Sequence, residues 1–305
     1  MTTVSSAKPD GFDSFWQTTL EELARLPAAP EIEEIPLRST DYATAYRVRL
    51  TSVGPYRIFG YLSIPKGDGP FPARYYLPRY GSVVDLVPQG TANGQRRDCV
   101  VFSVAVRGQR LADQPYAASF PGLLTDGIDD LSTYVYRGIV ADCCRGLEYL
   151  ASREEVDPQR IAAIGADLPL TTAGLTQGIT HVVCSPSLSY AAADLAARTE
   201  AYPLEEINDY LRLNPSHEEQ VRRTLSYFDL RWFAPNVTAT TLLVAGSDGE
   251  ALDASALSPM VESLGGECEV YKSTHSGFRD GVFTEEWLAA QLGMPGPSLP
   301  PHWQP

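Results

Sequence analysis

From about residue 98 onward the chain keeps one rhythm, and that rhythm limits its fold more than any other feature. "DCVVFSVAVRG" is a continuously apolar, strand-length run, followed by the long helical pattern "STYVYRGIVADCCRGLEYLAS". "EEVDPQR" reads as a loop with Asp-Pro turn chemistry. Then come "IAAIGA" as strand, "LTTAGL" as helix, "THVVCSPS" as strand, and two helical segments, "PLEEINDYLRL" and "SHEEQVRRTLSYF". The series ends with "TATTLLVAGSD" (strand), "ALSPMVESLGG" (helix), "ECEVYKST" (strand) and "TEEWLAAQLG" (helix). Such alternation predicts a mostly parallel, doubly wound sheet with helices on both faces. Ahead of it, "PARYYLPRYG" reads as another buried central strand. "YATAYRVRLTS" and "YRIFGYLSIP", joined through "VGP", alternate as antiparallel strands at a sheet edge do. Residues 11–26 have helical spacing of Phe12, Trp16, Leu20 and Leu23, with Asp13 or Ser14 as the expected cap, and "LPAAPEIEEIP" breaks that helix. No composition shift divides the 305 residues. We expect one α/β domain over residues 1–293, with 1–30 as an N-terminal helical arm and 195–232 as a helical insertion. The proline-rich residues 294–305 read as an extended or disordered tail.

Charge and residue usage exclude several function classes. The net charge of −14 and the lack of a basic stripe argue against nucleic acid. No apolar run approaches the ~20 residues of a membrane helix. "MTTVSSAKPDGFDSF" lacks the basic and apolar regions of a signal peptide, so the expected location is cytoplasmic. The five cysteines, Cys99, Cys143, Cys144, Cys184 and Cys268, form no C-x-x-C and read as buried reduced thiols. Four histidines without metal-ligand spacing make a zinc site improbable, and no cofactor is expected.

"IAAIGADLPLTTAGL" has the layout of a strand, a tight turn and a helix. A nucleophile elbow needs small residues two before and two after its apex, because the helix packs closely on the strand. Gly165 meets the first need; Pro169, suited to a first helical turn, stands at the second, and the apex is Asp167. A triad would continue with an acid and then a histidine. Asp248 follows one apolar strand and His275 the next, at the carboxyl ends where open α/β sheets build their sites. Alone, Asp248 in Gly246-Ser247-Asp248-Gly249 is an ordinary turn residue and His275 a surface histidine. Their chain order and strand-end positions together place them facing Asp167.

Longer stretches carry a family resemblance. "DGFDSFWQTTLEEL", "VRGQ" at 106–109, "FPGLLTDGIDDLSTYVYRGIVADCCRGLEYL", "EVDPQRIA", "EEINDYLR" and "EEQVRRTLSYFD" resemble the acetylxylan esterase / cephalosporin C deacetylase family of α/β-hydrolases, from about Phe12 to Leu292. The resemblance implies removal of small acyl groups, mainly acetyl, from sugars and cephalosporin side chains by a Ser-His-Asp triad, and a ring-like homo-hexamer. It implies that Asp248 is the triad acid and His275 the base. Tyr80 would supply one oxyanion-hole N–H and Leu168, after the nucleophile position, the other. Arg107-Gly108-Gln109 matches the family's RGQ signature. The departure lies at the turn. The family's G-x-S-Q-G is here Gly165-Ala166-Asp167-Leu168-Pro169, and the glutamate after the histidine is Ser276.

An aspartate at this position changes the chemistry. Its attack on an acetyl ester gives a mixed anhydride, a poor exchange. Water attacking past it forms an oxyanion beside a fixed charge, which at ~4 Å and an effective dielectric of ~20 costs roughly 4 kcal/mol, about three decades in rate. Losing a triad serine costs on the order of 10⁶-fold. The expectation is therefore a pseudo-hydrolase or small-ligand binder, taking a small-molecule ligand or an acetylated substrate without efficient turnover. A residual acetyl-ester hydrolase using Ser185, Ser187, Ser247 or Ser276 is an alternative. So is a hydrolase whose Asp167 attacks a halide- or epoxide-bearing carbon, although Leu168 offers no side-chain donor to a leaving group. An ion pair between Asp167 and protonated His275 is the structural version of the first reading.

Overall fold

The computed structural model describes residues 7–81, 84, 94–111, 118–299 and 303. Among the described residues nine strands form one sheet in the order β1-β2-β3-β5-β4-β6-β7-β8-β9. They are β1 Glu31–Glu34, β2 Ala43–Ser52, β3 Tyr56–Pro65, β4 Phe71–Tyr76, β5 Val100–Ala105, β6 Val156–Gly165, β7 His181–Cys184, β8 Thr240–Ala245 and β9 Cys268–Lys272. The strands from β5 to β9 are parallel, and β1, β2 and β3 add antiparallel pairs at one edge. This is the expected α/β-hydrolase architecture. The β2–β3 hairpin pairs in unbroken register from Ala43↔Pro65 to Ser52↔Tyr56.

Two expectations need correction here. Residues 31–34 pair with β2 as an edge strand rather than merely breaking the first helix. The Asp157-Pro158-Gln159-Arg160 stretch is not a loop ahead of the strand. It lies inside β6, where the register with β4 jumps between Phe71↔Val156 and Ala73↔Ile161. The turn-forming residues are absorbed as an irregularity in the strand, with Asp157 accepting from the Gln159 N–H (2.9 Å) and from Arg160 Nε (2.6 Å).

The described residues form ten helices: α1 Phe12–Arg25, α2 Gln95–Asp98, α3 Val135–Ala151, α4 Leu168–Leu175, α5 Ala192–Ala196, α6 Glu205–Leu213, α7 Glu218–Ser226, α8 Leu230–Phe233, α9 Ala254–Ser263 and α10 Gly277–Gln291. Period-2 alternation assigns the central strands to two layers. On β6, Ile161 and Ala163 join the large core that includes α3 and α4, while Ala162 turns to the other face with Val183, Leu242, Trp287 and Leu288. α5 to α8 all fall between β7 and β8, which is where the expected insertion lies. α1 is not capped by Asp13 or Ser14: Gly11 precedes it at φ 83°, Ser14 Oγ donates to the Gly11 carbonyl (2.9 Å), and Asp13 pairs with Lys8 (2.7 Å). Of the tail, residues 294–299 and 303 are described, and the remainder lies outside the described residues.

The RGQ residues sit where β5 leaves the sheet and hold the frame. Asp142, fully buried on α3, accepts from the Arg107 backbone N–H (2.9 Å), Nε (2.9 Å) and Nη2 (2.8 Å). Arg107 also donates to the Val53 carbonyl (3.0 Å) and lies over the Tyr56 ring. One side chain thus ties α3 to the end of β5 and to the β2–β3 hairpin. Gln109 donates to the Gly81 carbonyl (3.3 Å) and accepts from the Val106 N–H (3.2 Å), which braces the turn after β4. Removing one partner of a buried charge pair leaves the other uncompensated. Asp142→Asn is therefore expected to lower unfolding free energy by about 3–5 kcal/mol in a denaturant titration; a loss under about 1 kcal/mol would mean the pair does not hold the frame.

Candidate active site

β6 ends at Gly165 and α4 begins at Leu168, so Asp167 stands at the strand-to-helix turn as expected. The need for a small residue at 165 is physical: a Cβ there would come within 2.9 Å of the Leu77 carbonyl oxygen and 3.2 Å of Pro169. The turn is not a strained elbow, however. Asp167 has φ −80° and ψ −34°, ordinary right-handed helix, and its carbonyl already accepts from the Thr171 N–H (3.2 Å). The helix starts one position early, so the side chain leaves from a helical backbone rather than from an exposed apex.

The carboxylate points at the loop after β7. Ser187 N–H donates to Oδ1 (2.9 Å) and Ser187 Oγ to Oδ2 (2.7 Å). Leu188 N–H reaches both oxygens (3.2 and 3.1 Å), and Ser189 N–H reaches Oδ1 (3.1 Å). Asp167 is 6% exposed. A buried carboxylate surrounded by converging donors is a satisfied structural group. Its charge reaches its neighbours: burial, then the nearby Asp167, raises the Cys184 thiol, and burial, Tyr134 and Asp167 together raise the Tyr136 phenol.

The expected partners bond elsewhere, and this corrects the expectation that they face Asp167. Asp248 pairs with Lys272 (2.7 Å) and is largely exposed. His275 Nε2 lies 2.8 Å from Glu250 Oε1, with the imidazole 61% exposed. His275 has a left-handed backbone, φ 55°, fixed by its own loop, where its N–H donates to Ser273 Oγ (3.1 Å). Asp280 holds that loop, accepting from Tyr271 Oη (2.9 Å), Ser273 Oγ (2.7 Å), and Thr274 N–H and Oγ (3.0 and 2.7 Å). Burial works against the charged form of Asp280, but these hydrogen bonds outweigh it and draw its carboxyl down to about 2.

Tyr80 is held by its hydroxyl. It donates to Glu206 of α6, whose other oxygen accepts from the Leu124 N–H (2.9 Å). Burial raises the Glu206 carboxyl from its ordinary value, and burial together with the Glu206 acceptor raises the Tyr80 phenol. The hydroxyl is thus engaged away from any leaving group. Tyr80, Gln109, Leu123, Tyr136, Asp167 and Leu168 line a recess of about 30 Å³, room for a water or two. Of the substitute hydroxyls, Ser187 is bound to Asp167, Ser247 donates to the Ser273 carbonyl (2.8 Å), and Ser276 caps α10 at the Arg279 N–H. Ser185 uses its N–H on the Gly165 carbonyl (3.2 Å). Sequence reasoning did not find Glu206, Glu250, Asp280 or the Ser187–Ser189 amides. Only Glu206 carried a signal, since it lies in the motif "EEINDYLR".

Nine strands, helices on both faces and these residues at strand ends define an α/β-hydrolase. The chain belongs to the acetyl xylan esterase (AXE1) family, which it matches over residues 3–264. It is 26% identical over 251 residues to the acetyl esterase Axe7A of Xylanibacter ruminicola, covering 78% of this chain and 56% of that protein. The chain thus spans little more than half the length of that relative. The structure is similar to the acetyl xylan esterase from Paenibacillus sp. R4 (TM-score 0.80, 26% identity, 93% of this chain and 96% of that one). The fold likewise resembles acetyl xylan esterase 1 from Thermoanaerobacterium sp. JW/SL YS485 (TM-score 0.80, 22% identity, 93% and 94%). Among the described residues no helix is long and apolar enough to cross a membrane.

Two outcomes test this geometry. Asp167→Ala strands three backbone N–H groups and is expected to cost roughly 3 kcal/mol or more in unfolding free energy, with faster amide exchange at 187–189; unchanged protection there would contradict it. Asp280 is the pH test. Its folded pKa is depressed, so its stabilisation is present above the unfolded value near 4 and is lost as pH falls toward about 2. The stability difference between wild type and Asp280→Asn should therefore be larger at pH 6 than at pH 3 in urea titrations, and an equal difference would refute it.

Proposed function

We propose that this chain is a pseudo-hydrolase, a member of its family that no longer runs serine acyl transfer. The observation that supports this most is the Asp167 carboxylate, occupied by four donors from Ser187 to Ser189 on an unstrained helical backbone. Acyl transfer needs a hydroxyl in hydrogen-bond reach of a base that is oriented by an acid. Here the base position bonds Glu250 and the acid position bonds Lys272.

The same contacts argue against Asp167 as a nucleophile on a halide- or epoxide-bearing carbon. A carboxylate whose lone pairs are taken by hydrogen bonds attacks poorly, and the hydrolytic half-reaction needs an imidazole that His275 does not supply from its present position. What the relatives' names indicate, acetyl-ester hydrolysis, is therefore an ancestral trait in this reading.

The test is turnover of p-nitrophenyl acetate. Wild type is expected to fall about 10⁶-fold below a serine-bearing family member. Asp167→Ser alone should restore little, because a serine there starts from the same helical backbone with His275 bonded elsewhere. Adding Leu168→Gln and Pro169→Gly is the fairer rescue. Strong wild-type turnover abolished by His275→Ala would overturn the proposal.

A further inference from the structure

A second and larger cavity opens at the carboxyl ends of β6, β7 and β8, on the face covered by α10. It measures about 550 Å³, within the range of small-molecule sites. One wall is Glu285 of α10, 16% exposed. Fully buried Arg74 donates from Nη1 to both of its oxygens (2.9 Å each), and Gln95 Nε2 reaches Oε1 (3.3 Å). Arg74 thus fixes and neutralises the carboxylate from behind, while Oε2 keeps acceptor capacity toward the cavity. This placement leaves Arg74 Nε without a partner, and buried ion pairs are poor sources of stability, so anchoring α10 is a weak reason for it.

Arg79 and the Ser185 hydroxyl line the same cavity and have no hydrogen-bond or ion-pair partner among the described residues. Trp303 supplies an aromatic wall. Its ring sits over Gly281, where a Cβ would come within 2.5 Å of it, and meets Phe278 edge-on at 5.6 Å. Asp280 also lines the cavity, with its oxygens committed to Tyr271, Ser273 and Thr274.

We propose that this cavity binds a neutral, polyhydroxylated ligand of monosaccharide size. A hydroxyl group both donates and accepts. It can give a proton to Glu285, take one from Arg79, and exchange either with Ser185. The C–H face of such a ligand packs on the Trp303 ring. An anion would meet the Asp280 carboxylate and a Glu285 carboxylate already paired with Arg74, leaving Arg79 as a cation that has no ion-pair partner among the described residues. An apolar ligand would desolvate the same polar groups with no compensation. Asp280, Glu285 and Trp303 all lie beyond residue 264, where the match to the family ends. The cavity shares Arg79 with the recess at Asp167 but uses neither Asp167 nor Tyr80, and the proposal stands whether or not that recess is silent.

The experiment is a titration of the ¹⁵N-labelled full chain with D-glucose, D-xylose and D-sorbitol, and separately with inorganic phosphate, following the indole N–H signals. The chain has four tryptophans, and loss of one signal in Trp303→Phe assigns Trp303. The expected result is a saturable shift of that signal with at least one of the three polyols, with a Kd of about 1 mM. Glu285→Gln should abolish it, and the milder Arg79→Ala and Ser185→Ala should each weaken it several-fold. If Glu285→Gln fails to fold, those two variants decide the matter. No saturation by about 100 mM, a response to phosphate but not to polyols, or undiminished binding in both Arg79→Ala and Ser185→Ala would overturn the proposal.

Discussion

The Asp167 carboxylate belongs to the loop after β7, and the state of the cleft follows from that attachment. In the turn between β6 and α4, a side chain at position 167 can project into the cleft or reach across to the neighbouring strand end. An aspartate is long enough to span the gap, and residues 187 to 189 present three N–H groups and a hydroxyl to meet it. Four charge-assisted hydrogen bonds to one buried anion outweigh what a single imidazole contact supplies. Once the carboxylate is held there, no group at the turn calls for a histidine. His275 and Asp248 are free to bond Glu250 and Lys272 at the surface.

Around this changed centre the frame is kept by two other buried carboxylates. Asp142 receives Arg107 and locks α3 to the end of β5. Glu206 receives the Tyr80 hydroxyl and the Leu124 N–H, tying α6 and the segment before α3 to the turn after β4. The overall fold superposes on acetyl xylan esterases with a TM-score of 0.80.

Much of the fold was legible because its strands are buried on both faces and read as apolar runs, as "IAAIGA" and "TTLLVA" do. β1 was not, because all four of its residues are exposed and three are glutamate, so neither burial nor propensity marks it. The Asp157–Arg160 stretch misled because turn residues within a strand look like a turn before one. At the site, residue identity was legible and direction was not. The aspartate at 167 and the strand-end positions of 248 and 275 are properties of the chain. The Asp167 conformation is set by backbone amides twenty residues on, which leave no side-chain signature. The bonding of His275 is set by Glu250, a residue that looked like part of an ordinary turn.

The central claim is that the carboxylate at 167 is a structural anchor and that no hydroxyl has taken over as an activated nucleophile. Incubation of the full chain with a fluorophosphonate, read by intact mass and peptide mapping, tests this most directly, since such reagents trap only serines activated by a base. The chain is expected to stay unmodified under conditions that fully label a serine-bearing acetyl xylan esterase. A stoichiometric adduct on Ser185, Ser187 or Ser276 that disappears in His275→Ala would contradict it.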